Sequence, residues 1–363
     1  MINCISKLKK MAIKIIIPIL LLAGLLLLSK SFATSTKATE PPIDKAWWDG
    51  LSKEWKTIFI INQNFQKQRS DVYSLQEDYI NRNNSAGEED YSEMNKSLHD
   101  FAEMKKFGLG YPDFYIRAQR TKYVIKNDQI DLATLANLDK IYMVHGPGDL
   151  TPLKKFTHLK VLIINDCGVG YTNPVNKQLL DLEPLRYLLE LEILQCSSSA
   201  LGSLEPIKDL IKLEELNCSN SKVTSLAPLK NLVNLRRLTF GSNITSAALV
   251  SEFENLEELY IKGCRQIPDL SKLTRLKKLS IEENELAIIN AEDRIANIDF
   301  LKVVPTLQFI DLDNTSYKGS LAILDNLQNL KAITLPPVNS TSMLAFKKTH
   351  PNCIIINAYQ YER

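Results

Sequence analysis

Few residues of this chain have the type and spacing that chemistry needs. There are four histidines, His99, His145, His158 and His350, and none stands in an HExxH or His-x-His arrangement that would hold a metal. No G-x-S-x-G turn presents a serine nucleophile. The pairs Gly108/Gly110 and Gly168/Gly170 lack the third glycine of a phosphate-binding loop and read as turns. Glu190 and Glu192 fall two residues apart in a strand-like stretch, so both carboxylates face one side, as a general acid–base pair would. The likeness is superficial, and a solvated strand face accounts for them. The six cysteines form no CxxC pair. These observations point away from catalysis and predict no cofactor and no metal; scattered catalytic groups brought together only by folding would leave no such trace.

What the chain has instead is repetition. The phrase L-x-x-L-x-L recurs nine times, with its first leucine at Leu138, Leu159, Leu188, Leu213, Leu235, Leu256, Leu276, Leu307 and Leu330, at spacings of 20 to 31 residues. Units this short cannot bury a core alone and must stack on one another. Positions 4 and 6 of each unit, such as Leu259 and Ile261, alternate with polar residues, the period of a half-buried strand. Each strand should pair in parallel with the next at about 4.8 Å. Position 9 holds Cys167, Cys196, Asn243, Cys264, Asn284 and Thr315, small or polar groups placed to bond backbone where the chain leaves the strand. Gly146, Ser221 and Val338 should interrupt that series. Cys218, at position 6, reads as a packed hydrophobe. A bridge between Cys167 and Cys196, on adjacent coils, is the alternative to packed thiols. Before the strands runs a second pattern, Leu226-Ala227-Pro228-Leu229 with Leu232, and likewise from Leu150 and Leu204. Apolar residues at every third position suit a 3₁₀ turn. Asn176 to Leu182 and Ala291 to Val304 have room for fuller helices.

The combination of L-x-x-L-x-L-x-x-[N/C] with the upstream L-x-P-L-x-x-L resembles the leucine-rich repeat family, in its short internalin-like bacterial subclass. The resemblance covers residues 120–363, with a degenerate unit at Tyr123-Val124-Ile125 and a last strand at Ile354-Ile355-Ile356. It implies an α/β fold: a right-handed solenoid with a parallel sheet on the concave face and short helices on the convex one.

The ends of the array need covering. Asp44 can cap a helix, and Trp47, Trp48, Leu51, Trp55, Ile58, Phe59 and Asn62 trace one helical face. Residues 44–119 therefore read as an N-terminal helical cap, and the stretch Trp47 to Lys56 is similar to one preceding the repeats of other secreted bacterial proteins of this family. A carbohydrate-binding aromatic platform is the competing use of the tryptophans. Asp71 to Asp90 reads as a loop, and Tyr91, Met94, Leu98, Phe101 and Met104 as a second amphipathic helix. Phe346 to Pro351 should form a closing helix.

The first 33 residues are of another kind. Lys7, Lys9, Lys10 and Lys14 precede the apolar run Ile15 to Leu28, and Ser31-Phe32-Ala33 offers a cleavage site after Ala33. This is the pattern of a signal peptide, with residues 34–43 as linker. The 14-residue apolar run is short against the ~20 residues a membrane span requires; an uncleaved N-terminal anchor is the alternative. Of 44 basic residues five lie in this segment, so residues 34–363 carry 39 basic against 42 acidic side chains and no basic excess for nucleic acid. The expected product is a secreted or periplasmic monomer with no membrane span in its mature chain.

Positions 3, 5 and 7 should line the concave face and bind a protein partner. The residues of the type that anchors interfaces, or that charge this face, are Tyr142, Glu190, Glu192, Glu215, Arg237, Tyr260, Lys262, Phe309 and Asp311. The alternatives are an envelope scaffold without a single high-affinity ligand and an enzyme whose site lies in the N-terminal region.

Overall fold

The structure is a computed structural model. It describes residues 43–67, 130–143, 146–168, 180–241, 243–263, 267–283, 295 and 297–357. The expected signal segment, the Asp71–Asp90 loop, the Tyr91–Met104 helix and the unit at Tyr123 all lie outside these residues, as do most of the expected helix at Asn176 and Cys264 and Asn284.

Among the described residues, ten strands form one parallel sheet in strictly sequential order: β1 (Lys140–Tyr142), β2 (Val161–Ile163), β3 (Ile193–Gln195), β4 (Glu215–Asn217), β5 (Arg237–Gly241), β6 (Glu258–Lys262), β7 (Lys278–Glu282), β8 (Phe309–Asp311), β9 (Ala332–Leu335) and β10 (Ile354–Asn357). Sequential order with every neighbour parallel is the signature of a solenoid, each coil adding one strand. The register puts position 4 of successive coils in a single row: Leu162, Leu194, Leu216, Leu238, Leu259 and Leu279 each pair with the next. All six are buried. Burying a leucine contributes about 1.5–3 kcal/mol, so the repeated phrase amounts to a continuous apolar column.

The return path of most coils is a 3₁₀ turn, as the every-third-residue pattern predicts. Thr151–Lys155, Glu183–Tyr187, Glu205–Ile207 and Ala227–Asn231 each carry proline in the first turn, where no N–H is needed. Their central residues, Leu153, Leu185, Ile207 and Leu229, are fully buried against the sheet. Of the expected helix at Ala291–Val304, the described residues include the 3₁₀ turn Asp299–Val303, and most of its first half lies outside the described residues. Where the chain turns off the strand, position 8 has positive φ at Asp166, Asn220 and Gly263, residue types that tolerate the left-handed region. One position on, the Asn243 amide donates to Ser221 O at 2.5 Å in the previous coil. Ser221 itself donates to Cys218 O at 2.7 Å, within its own coil rather than to the previous one.

The tryptophan-rich segment is two helices, α1 (Lys45–Gly50) and α2 (Lys53–Lys67), broken at Leu51–Ser52. Asp44 caps α1, accepting from Trp47 N at 2.8 Å. Phe59 stacks between Trp55 at 5.1 Å and Phe156 of the second coil at 5.0 Å, and the Trp55 indole donates to Asp149 O at 3.2 Å. Asn62 closes the sheet edge. Its amide donates to Tyr142 O at 3.1 Å while its Oδ1 accepts from Tyr142 N at 2.8 Å. One side chain thus supplies the two bonds a further strand would have made. A short helix, α3 (Leu132–Ala136), leads into β1, and α4 (Ser340–Thr349) packs Phe346 into the core before β10.

Candidate functional site

The outer face of the sheet carries a groove of ≈ 600 Å³ lined by residues from β1 to β8, so this face is concave. Side chains at position 3 form one row across it: Lys140, Val161, Ile193, Glu215, Arg237, Glu258, Lys278 and Phe309. Position 5 forms the next: Tyr142, Ile163, Gln195, Asn217, Thr239, Tyr260, Ser280 and Asp311. Tyr142, Glu215, Arg237, Tyr260, Lys262, Phe309 and Asp311 therefore stand on strands of this sheet, as their spacing predicts.

Glu190 and Glu192 do not, and this corrects the frame of the third unit. Leu194, not Leu191, pairs with Leu162 and Leu216. The phrase there is Leu191-x-x-Leu194-x-Cys196, and Leu188 ends the preceding 3₁₀ turn. Both phases match the repeat as text, and the rejected one even places a cysteine at position 9. The register across the sheet selects the other, because only Leu194 completes the buried row. The upstream Leu182-Glu183-Pro184-Leu185 carried the signal: in the units of Leu159, Leu213 and Leu235 the same motif begins nine residues before position 1, and counting from Leu182 reaches Leu191. Glu190 instead pairs with Lys212 at 2.5 Å and Glu192 with Lys160 at 2.8 Å, both exposed at the edge where the chain enters the strands. They form no carboxylate pair. Cys196 moves with the frame to an inward position 6 beside Cys218. In its place Ser198 bonds the previous coil, donating to Cys167 O at 2.8 Å.

The charges of the position-3 row neutralise one another. Gln195 donates to Glu215 at 2.9 Å. Arg237 pairs with Glu215 on one side and with Glu258 at 3.0 Å on the other, and Lys278 reaches Glu258 at 3.2 Å. Tyr260 donates its hydroxyl to Glu258 at 2.8 Å. Burial alone would raise the Glu258 carboxyl, but the hydrogen bonds of Arg237 and Tyr260 and the charges of Arg237 and Lys278 hold it below the ordinary value. Lys278 then lies over the Phe309 ring at 5.6 Å. Phe309 is 7% exposed, so it is a packed residue rather than the open aromatic its position predicts. Position 7 continues the pairing with Lys262 and Glu282 at 3.8 Å.

The two ends of the face differ. At the first coils Val161, Ile163 and Ile193 make an aliphatic floor next to Tyr142, and Lys140 is exposed. At β8 Asp311 accepts from Ser280 at 3.1 Å and from Asp313 N at 3.1 Å, and Asp313 Oδ1 is buried without a hydrogen-bond partner. Burial raises both carboxyls, and Asp311 raises Asp313 further. Val161, Ile163, Ile193 and Gln195 were not singled out from sequence; the corrected register brings Ile193 and Gln195 to the face.

No group of three or more His, Cys, Asp or Glu among the described residues could hold a metal ion. His350 is buried, stacked on Phe346 at 4.6 Å. Cys167, Cys196, Cys218 and Cys353 are free thiols, so Cys167 and Cys196 are not bridged here. Burial pushes Cys167 and Cys218 up to about 12 and Cys196 well above the ordinary thiol value. Thiols of that kind are inert packing groups.

The stacked leucine row, the parallel single-step sheet and the 3₁₀ returns define a leucine-rich repeat solenoid. No known family profile matches the sequence, and no curated protein matches it. Among solved structures, the chain is similar to internalin C2 of Listeria monocytogenes at 17% identity and a TM-score of 0.41, over 58% of this chain and 88% of that one. It is similar to internalin InlF of the same organism at 18% and 0.37, over 67% and 88%. A leucine-rich repeat protein of Leptospira interrogans gives 16% and 0.41, over 61% of each chain. These likenesses are slight, and the fold rests on this chain's own register.

Proposed function

We propose that this chain is an exported bacterial recognition protein, not an enzyme, which binds another protein through the concave sheet face. Residues 1–33 serve as its signal peptide, 34–43 as a linker, 44–119 as the cap and 120–363 as the repeat array; the mature protein acts as a monomer in the periplasm or outside the cell. One observation carries the reading: a continuous groove spans β1 to β8 and is floored by side chains already locked in hydrogen bonds and ion pairs. A preorganised surface loses little entropy on binding. Its width of several strands suits an extended partner surface better than a small substrate. No helix among the described residues is long and apolar enough to cross a membrane. An envelope scaffold is the second reading, favoured by the self-neutralised ladder, which leaves few charges to select one ligand.

The test places a photo-crosslinking aromatic residue at Tyr142, at Tyr260 and, as a control, at the exposed Lys230 on a 3₁₀ turn. Capture of one common protein from both concave positions in the native envelope, and not from Lys230, is the expected result. Equal capture from all three, or none from the concave pair, refutes concave-face recognition.

A further inference from the structure

The charges of the concave face can be accounted for one by one. Between β4 and β7 every described one has an opposite partner: Glu215 with Arg237, Arg237 with Glu258, Glu258 with Lys278, Lys262 with Glu282. A partner that sought these groups would first have to break a pair, and rim charges that are already satisfied add little affinity. The imbalance lies at the ends. Lys140 on β1 is exposed and pairs with no carboxylate among the described residues, and it stands beside the aliphatic floor of Val161, Ile163 and Ile193. At the other end Asp311 and Asp313 lie together on the last coil of the groove. Lys262 acts on Asp311 but also has Glu282, and one Asp313 oxygen is buried with no donor. The floor between is neutral and hydrogen-bonded, so the groove is polarised along the solenoid axis.

Resting on the concave-face reading above, we propose that this groove selects an extended segment of a partner protein with a matching polarity. Its apolar side chains and a carboxylate sit over Ile163 and Ile193 beside Lys140, and its cations sit at Asp311 and Asp313. The seven strand steps from β1 to β8 span about 34 Å, and an extended segment of about ten residues, at about 3.3 Å each, covers that length. The neutral ladder fixes no register, so the two ends determine which segment fits and which way it lies.

The experiment uses two synthetic ten-residue peptides of identical composition, labelled for fluorescence anisotropy. In the matched peptide leucine, isoleucine and glutamate occupy one end and arginine and lysine the other, with polar residues between. In the crossed peptide the glutamate and the cations are exchanged. Both are made in the two chain directions. The full mature chain should bind a matched peptide at least about tenfold more tightly than its crossed counterpart, one decade being about 1.4 kcal/mol. The preference should fall to within about twofold in Lys140→Glu and in the double variant Asp311→Asn/Asp313→Asn. Lys140 is exposed and pairs with no carboxylate among the described residues, so its variant keeps the proposal testable if the double variant does not fold. Equal binding of matched and crossed peptides overturns the polarity and leaves concave-face recognition standing. So does an unaltered preference in Lys140→Glu. Failure of both matched and crossed peptides to bind overturns the extended-segment inference; if the crosslinker at Tyr260 also captures nothing, the concave-face reading falls with it.

Discussion

Replacing Arg237 by methionine probes whether the concave ladder is a structural device. Methionine keeps the length of the side chain and removes its charge. Arg237 stands between Glu215 and Glu258 in the position-3 row, and their side chains are 11% and 15% exposed. Each contact at an effective dielectric of about 20 is worth up to about 4 kcal/mol before desolvation. Breaking a fully buried pair costs about 3–5 kcal/mol. The guanidinium, however, is 43% exposed, so solvent screens it and the value must be discounted toward the ~0–1 kcal/mol of a surface pair. A net loss of about 2 kcal/mol follows, which for an array of this size lowers the melting temperature by about 4–8 °C. The loss must depend on pH. In the wild type the Glu258 carboxyl titrates below its unfolded value. Its contribution is therefore complete above about pH 4.3 and drains away as the pH falls through the depressed folded value. In the variant only Tyr260 and Lys278 oppose burial, so that carboxyl titrates higher and charging it costs stability as the pH rises. Both effects make the gap between the two proteins widest at neutral pH and narrow on acidification. Thermal unfolding followed by circular dichroism at pH 7 and near pH 3.5 measures it. A gap that is absent at pH 7, or that does not shrink in acid, refutes the account of the ladder.

Three further outcomes follow from the packing. Leu238→Ala opens a cavity in the fully buried position-4 row and should cost about 2–5 kcal/mol, read as a lower urea midpoint; an unchanged midpoint would show that the row is not a load-carrying core. Asn62→Ala leaves the N–H and C=O of Tyr142 without their edge partner, at a cost of about 1–3 kcal/mol. Hydrogen exchange at the Tyr142 amide should accelerate, and exchange at wild-type rates would deny Asn62 its role. Cys196 and Cys218 should resist an aromatic disulfide reagent at pH 8 in the native protein and react together once urea unfolds the array, because burial keeps both as thiols; immediate labelling of the native chain would contradict their placement.

The coils were legible because each is specified locally. Leucine at positions 1 and 4 recurs with alternation around it, and Leu-x-Pro-Leu prepares a 3₁₀ turn where proline's missing N–H does no harm. The same logic predicted Asp44 as a helix cap and the tryptophans as an end cover. It failed at Leu188, where two phases of one apolar run satisfy the local rule equally. Choosing between them needs the strands on either side, since only a neighbour's backbone can say which leucine completes the row. Phe309 was misjudged for a related reason. Its position predicts exposure, but Lys278 on the adjacent strand covers it, and no spacing rule along one strand reports what the next strand places above it.

Period, strand face and turn type were set by short-range pattern, since the hydrophobic effect acts on each unit in the same way and repeats its outcome. Charge behaved differently. Glu215, Arg237, Glu258 and Lys278 are separated by about twenty residues each and read in sequence as independent contact groups. Stacking at about 4.8 Å converts them into one neutral ladder, and Coulomb attraction at that distance is a property of the assembled sheet. The same stacking leaves Lys140 at one end and Asp311 and Asp313 at the other, so the polarity of the face arises only when the coils are in register.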